Sequence, residues 1–321
     1  MKLKVLYLFI TGLFLTFGAF SQENGSEKIV STFHSISSNE ILDFANELAS
    51  EKYKGRLSGS PEYLEAAQWC AERFKEWGIQ PANNGSYFQY FPNAYSDVYS
   101  KGKVIYSSGT RETKQLTFPD EYYPGSNSDS GTVSENMVYC GFGITAPELG
   151  YDDFANVDVK GKIVILEPGV PYTKNDTTLV KWTPYAYHRY KFANAVKHGA
   201  KGMLYISKIA NPNTTHINGF IYAHISENVA KQIFADAGKD YPELRKELAA
   251  MKTPSFALPE NQKVTISAKT KNFPDAKSCN VVGMIEGSDP DLKDEVIIVG
   301  GHLDGQGYLG ALKSLSPELV K

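Results

Sequence analysis

The sequence predicts an α/β protein interrupted by a β-rich α+β insertion. Three observations carry this reading. Residues 38–77 hold two helical patterns, and residues 87–271 are dominated by short alternating runs broken by turn residues. Residues 295–301 (EVIIVGG) place four apolar residues in succession, the mark of a strand covered on both faces. A length of 321 residues fits roughly two domains.

The amino terminus reads as an export signal. Lys2 and Lys4 precede an apolar run over residues 5–17, and Ala19 and Ser21 are the small residues before Gln22. Cleavage is expected after Ser21. The run is shorter than the roughly 20 residues that span a bilayer, and no Cys follows it for a lipid anchor. The mature protein is therefore expected outside the cytoplasm, periplasmic or secreted, with no membrane anchor. The chain carries 33 basic and 36 acidic residues. That balance argues against a nucleic-acid surface.

The first helix is expected over 38–49. Ser37 and Glu40 form a capping box, and Ile41, Phe44, Ala45 and Leu48 share a face. Residues 50–60 read as a loop. The next helix starts at the Ser60 cap with Pro61 and Glu62, carries the stripe Tyr63, Ala66, Ala67, Cys70, Phe74 and Trp77, and stops at Gly78. Strands are expected at 103–106, 131–139, 162–167, 202–206 and 263–268. Helices are expected over 184–198 with Thr183 as cap, over 227–237 with Ser226 as cap, and over about 242–250. Then come a strand over 279–286, a turn over 287–294 and the apolar strand 295–301. The ends read as α/β and the middle as β-rich, so the middle is expected to be an insertion.

That last strand runs into Gly301, His302, Leu303, Asp304 and Gly305. Ligands of open α/β sheets bind at the carboxyl ends of strands. His302 and Asp304, two apart, point to one side. An imidazole is a zinc ligand, and a carboxylate beside it fixes its tautomer. Spacing alone makes H-x-D a weak motif. Its strand-end position between glycines strengthens it.

Residues 279–307 (CNVVGMIEGSDPDLKDEVIIVGGHLDGQG) resemble the start of the catalytic core of the exported co-catalytic di-zinc aminopeptidases, relatives of glutamate carboxypeptidase and the transferrin receptor. Residues 47–91 resemble that family's opening helices. Residues 137–171, KFANAVKHGAKGMLYI and HISENVAKQIF resemble its inserted protease-associated domain. The resemblance implies an incomplete zinc-peptidase core, a doubly wound sheet, built from residues 22–90 and 275–321, with the protease-associated domain inserted at 91–274 after the 1–21 signal. It implies that His302 ligates one of two zinc ions, that Asp304 orients the imidazole without touching metal, and that the substrate is a peptide.

The sequence departs from the family after Gly307. It reads YLGALKSLSPELVK, without the GADDN-like stretch, the Glu-Glu pair or the later Asp and His. A catalytic zinc needs three protein ligands, and one histidine cannot hold a pair of ions. The expectation is the amino-terminal portion of an exported zinc exopeptidase, aminopeptidase in type, inactive as this chain alone. The rival expectation is a non-catalytic binding protein in which the protease-associated domain holds a peptide or partner.

Other residues point elsewhere. His188, His198, His216 and His224 have no ligand spacing and read as surface or core histidines. Asp152, Asp153 and Asp158 read as a solvated acidic turn without an EF-hand rhythm. Gly141-Phe142-Gly143 lacks the third glycine of a nucleotide loop. No G-x-S-x-G elbow is present. Arg56 reads as a brace for its loop. Cys70, Cys140 and Cys279 allow one disulfide at most, and free thiols are the simpler reading.

Overall fold

A computed structural model of the chain describes residues 25–111, 113–171, 179–206, 216–305 and 307. The predicted signal and its cleavage point lie outside the described residues. Among the described residues, no helix is long and apolar enough to cross a membrane.

The chain divides into two units, residues 1–50 and 51–321. The first carries α1 (Gly25–Ser35) and α2 (Ser38–Leu48). Ser37 caps α2 as expected, its hydroxyl accepting the Glu40 amide at 3.3 Å.

The second unit opens on α3 (Pro61–Glu76), capped by Ser60, which accepts the Tyr63 amide. Tyr63, Ala66 and Ala67 are buried, whereas Trp77 ends the stripe exposed. Strand β1 (Phe88–Pro92) follows, then β2 (Tyr95–Ser107), β3 (Tyr122–Pro124), β4 (Gly131–Tyr139) and β5 (Ile163–Leu166). Next come α4 (Leu179–Ala186), α5 (His188–Lys197), β6 (Gly202–Ile206) and β7 (Ile221–Ile225). Helices α6 (Glu227–Asp236) and α7 (Tyr241–Ala249) precede β8 (Lys263–Phe273) and β9 (Lys277–Val281).

The main sheet runs β2-β8-β4-β5-β6-β7-β3, with Lys114–Gln115 beyond β2 and Phe256–Ala257 beside β4. Strands β4 to β7 are parallel, and β2, β8 and β3 join antiparallel. The parallel strands are apolar on both faces. Ile163, Ile165, Leu204 and Ile206 pack with Phe234, Tyr241 and Leu244 from α6 and α7. Val164, Leu166, Met203 and Tyr205 pack with Phe192 and Ala195 from α5. In β8 only alternate residues Val264, Ile266 and Ala268 are buried. Its other face carries hydroxyl pairs with β4, Ser134 to Thr265 at 2.7 Å and Thr132 to Ser267 at 2.9 Å.

The two ends of this sheet's chain meet, since Tyr95 pairs with Phe273 and their rings stack at 4.6 Å. Beyond them β1 pairs with β9, and Gln80–Pro81 pairs with Gly283–Met284.

Three expectations fail, and one strand was missed. The helix expected over 184–198 is two helices: Pro184 lies inside α4, and α5 starts after an extended Tyr187 with no side-chain cap. Strand β7 was not predicted. Its five buried residues include His224, which broke the apolar pattern. The strand expected over 279–286 is split at Val282 and ends at Met284. The strand expected over 295–301 is absent. Val296, Ile297, Ile298 and Val299 are 81–92% exposed. An apolar strand forms only with neighbours for its backbone groups, and none lies beside this segment among the described residues. The three cysteines are free thiols, and burial pushes that of Cys140 well up.

Candidate functional site

His302 and Asp304 sit where the chain returns to the loop before α3. Leu57 and Gly305 form a parallel bridge. The Gly305 amide donates to the Arg56 carbonyl at 2.8 Å, and the Gly307 amide donates to Gly55 at 3.0 Å. Arg56 donates its Nε to the Leu303 carbonyl at 2.9 Å. It braces the loop, as its sequence reading proposed. The glycines permit this close pairing: a Cβ on Gly305 would lie 2.4 Å from the Gly55 carbonyl oxygen.

Side chains alternate along this segment. Leu303 packs onto the buried cluster of Tyr63, Ala67 and Cys279. His302 and Asp304 face the other way and are accessible, with side-chain exposures of 80% and 40%. The His302 Nδ1 is 3.0 Å from Asp304 Oδ1 and 3.0 Å from the Asp304 carbonyl oxygen. Both neighbours are acceptors, so this arrangement favours the Nδ1–H tautomer and leaves Nε2 as the ring's acceptor. Beneath them the Tyr63 hydroxyl donates to the Cys279 carbonyl at 2.6 Å. Burial raises the Tyr63 pKa, and the charges at Cys279 and Asp304 add to it.

The pair fits one zinc ligand with its orienting carboxylate. It does not make a zinc site. Among the described residues no group of three His, Cys, Asp or Glu side chains is placed to hold a metal ion. Three of the other histidines pack against aromatic rings. His198 stacks on Phe154 at 4.2 Å, and His188 and His224 each meet the ring of Tyr205.

The acidic turn differs from its sequence reading. Asp153 is fully buried, accepting the Ile144 amide at 3.0 Å and the Tyr151 hydroxyl at 2.9 Å. Burial pushes its carboxyl up to about 7. Gly141 and Gly143 both have positive φ and close contacts. A Cβ on Gly141 would lie 2.5 Å from Asp153 Oδ1, and one on Gly143 2.7 Å from Leu166. Their role is a tight turn, not phosphate binding.

Residues 102–233 match the family model of the PA domain. This stretch is a PA domain. It covers most of the sheet, together with α4, α5 and the first seven residues of α6. A search of curated proteins found no match. Among solved structures, an aminopeptidase from Aneurinibacillus sp. strain AM-1 aligns at a TM-score of 0.52 and 19% identity, covering 84% of this chain and 53% of that one. The two share a fold, and this chain spans about half that enzyme's length. A peptidase M28 precursor from Shewanella amazonensis aligns at a TM-score of 0.47 and 15% identity, covering 80% of this chain and 52% of its own.

Proposed function

We propose that this protein is built as part of an exported zinc-dependent exopeptidase, aminopeptidase in type, acting on peptide termini. His302 is its one zinc ligand among the described residues, and Asp304 holds the ring. One observation carries this reading: an accessible imidazole whose Nδ1 is engaged by a carboxylate at 3.0 Å, on a fold shared with an aminopeptidase. When complete, such a site supplies a metal-activated water. This chain's own contribution is narrower. Asp304 fixes the tautomer, Leu303 anchors the segment between them, and Arg56 and Gly55 fix its backbone.

The PA domain is read as an insertion at 91–274. The Tyr95–Phe273 pairing and the β1–β9 pairing support those limits. A catalytic zinc keeps three protein ligands, so this chain alone is proposed to be inactive.

The test uses the chain with 15N-labelled histidines. Zinc is expected to shift the His302 Nε2 resonance before those of the other five histidines. Asp304→Ala is expected to weaken that response and release the Nδ1 proton signal. Aminoacyl p-nitroanilides are expected to stay intact. Zinc shifts that bypass His302 would overturn the ligand assignment. Hydrolysis abolished by His302→Ala would overturn the inactivity.

A further inference from the structure

Lys191 lies on α5, on a helix whose pattern gives no sign of a buried charge, yet it is completely buried. Its ammonium donates to three backbone carbonyls: Gly169 at 2.6 Å, Phe142 at 2.7 Å and Glu167 at 3.2 Å. Three donors therefore meet three acceptors. The carbonyls belong to two loops, one after β4 and one after β5, where parallel strands end. The face of the Phe142 ring stands 5.1 Å from the same nitrogen. Around this shell lie two buried carboxylates, Asp153 and Glu167. Each has its own partners. Asp153 holds Ile144 and Tyr151, and Glu167 accepts the Tyr241 hydroxyl at 3.1 Å and the Tyr139 hydroxyl at 3.4 Å.

Three carbonyl oxygens converging on one buried point repel one another unless a cation sits among them. Every feature of the place is that of a cation receptor: convergent carbonyls, an aromatic face, and carboxylates just behind. Burial opposes the charge on Lys191, and Asp153 and then Glu167 support it. Neighbouring residues of α5 hold the same turn without charge. Asn194 donates to the Gly143 carbonyl at 3.0 Å, and the Tyr190 hydroxyl donates to the Thr145 carbonyl at 2.8 Å.

We infer that the two loops of the PA domain form an internal receptor for a primary ammonium group, and that Lys191 is its tethered ligand, latching both loops to α5. The receptor is a property of the loops. It persists when the tether is cut, and it then takes a free alkylammonium of matching length. Removing the Lys191 side chain beyond Cβ leaves the outline of propylammonium.

The experiment measures thermal melting of the full chain and its variants. Lys191→Ala is expected to melt lower than the parent. Propylammonium is expected to raise the melting temperature of Lys191→Ala and leave that of the parent unchanged. 1-Propanol and tetramethylammonium at equal concentration are expected to do neither. Lys191→Met fills the stem without the charge, and propylammonium is expected to leave it unchanged. Equal rescue by 1-propanol would reduce the site to an apolar slot and overturn the inference, as would no rescue at all. The parent protein gives a second readout if Lys191→Ala fails to fold. Its 15N-lysine spectrum is expected to contain one ammonium signal protected from solvent exchange and absent from Lys191→Met. No such signal at mildly acidic pH would overturn the inference.

Discussion

Glu167→Gln gives a sharp test of the buried charge in the PA domain. Glu167 is 2% exposed at the end of β5, facing the hydroxyls of Tyr241 and Tyr139. Burial pushes its carboxyl up to about 7 from an ordinary 4.5, against the pull of the Tyr241 hydrogen bond. A raised carboxylate pKa means that the fold prefers the neutral acid. The preference is fully present below pH 4.5 and is lost as pH rises from there through 7. Each tenfold change in proton affinity corresponds to about 1.4 kcal/mol, so a rise from 4.5 to about 7 makes the loss approach ~3 kcal/mol. Gln carries no charge, accepts from Tyr241 as before, and has no such slope. Urea unfolding of both proteins from pH 4.5 to pH 8 measures the difference. Asp153 and Lys191 titrate in this range too, and Glu167 supports the charge on Lys191, so the difference reports Glu167 together with its coupling to Lys191. The expected result is near-equal stability at pH 4.5, with the Gln variant ahead by up to ~3 kcal/mol at pH 8. Parallel stability profiles would refute the reasoning.

Other outcomes follow from local geometry. Ser60→Ala removes the cap of α3 and should cost about 1 kcal/mol in urea unfolding. Gly143→Ala forces a Cβ to within 2.7 Å of Leu166 at a φ of +70°. Its melting temperature should fall clearly, and more than that of Gly150→Ala, where the space is open. Ile297→Lys replaces a side chain that is 92% exposed. It should leave stability within about 0.5 kcal/mol in urea unfolding.

The helix starts were legible because capping is a local matter. Ser37, Ser60 and Ser226 each accept an amide three residues on, a geometry that the next four residues settle. The same logic misled at Thr183 and Pro184, since Pro fits either a helix start or a first turn and α4 begins earlier. The candidate pair was legible through its spacing of two, and Leu303 between its members supplies the inward anchor. Buried charge was not legible. Asp153 and Lys191 look like surface residues in sequence. What makes them interior is the turn at 141–144, whose backbone carbonyls and amide bond to side chains far along the chain.

Two apolar runs make the limit of pattern reading concrete. Ile163–Leu166 and residues 296–299 are each four aliphatic residues long, and each reads as a strand, the second as one covered on both faces. The first has β4 on one side, β6 on the other, α5 on one face, and α6 and α7 on the other face, and it is fully buried. The second has no strand beside it among the described residues and stands in water. Burying four such side chains is worth roughly 6–12 kcal/mol at ~1.5–3 kcal/mol each. That gain is open only to a strand whose amides and carbonyls are also paired, because each buried unpaired group costs about 1–3 kcal/mol. An isolated extended segment has about eight such groups over four residues, enough to cancel the whole gain. Residues 296–299 therefore carry the composition of a core strand without its conditions, and the neighbours rather than the letters decide which run becomes core.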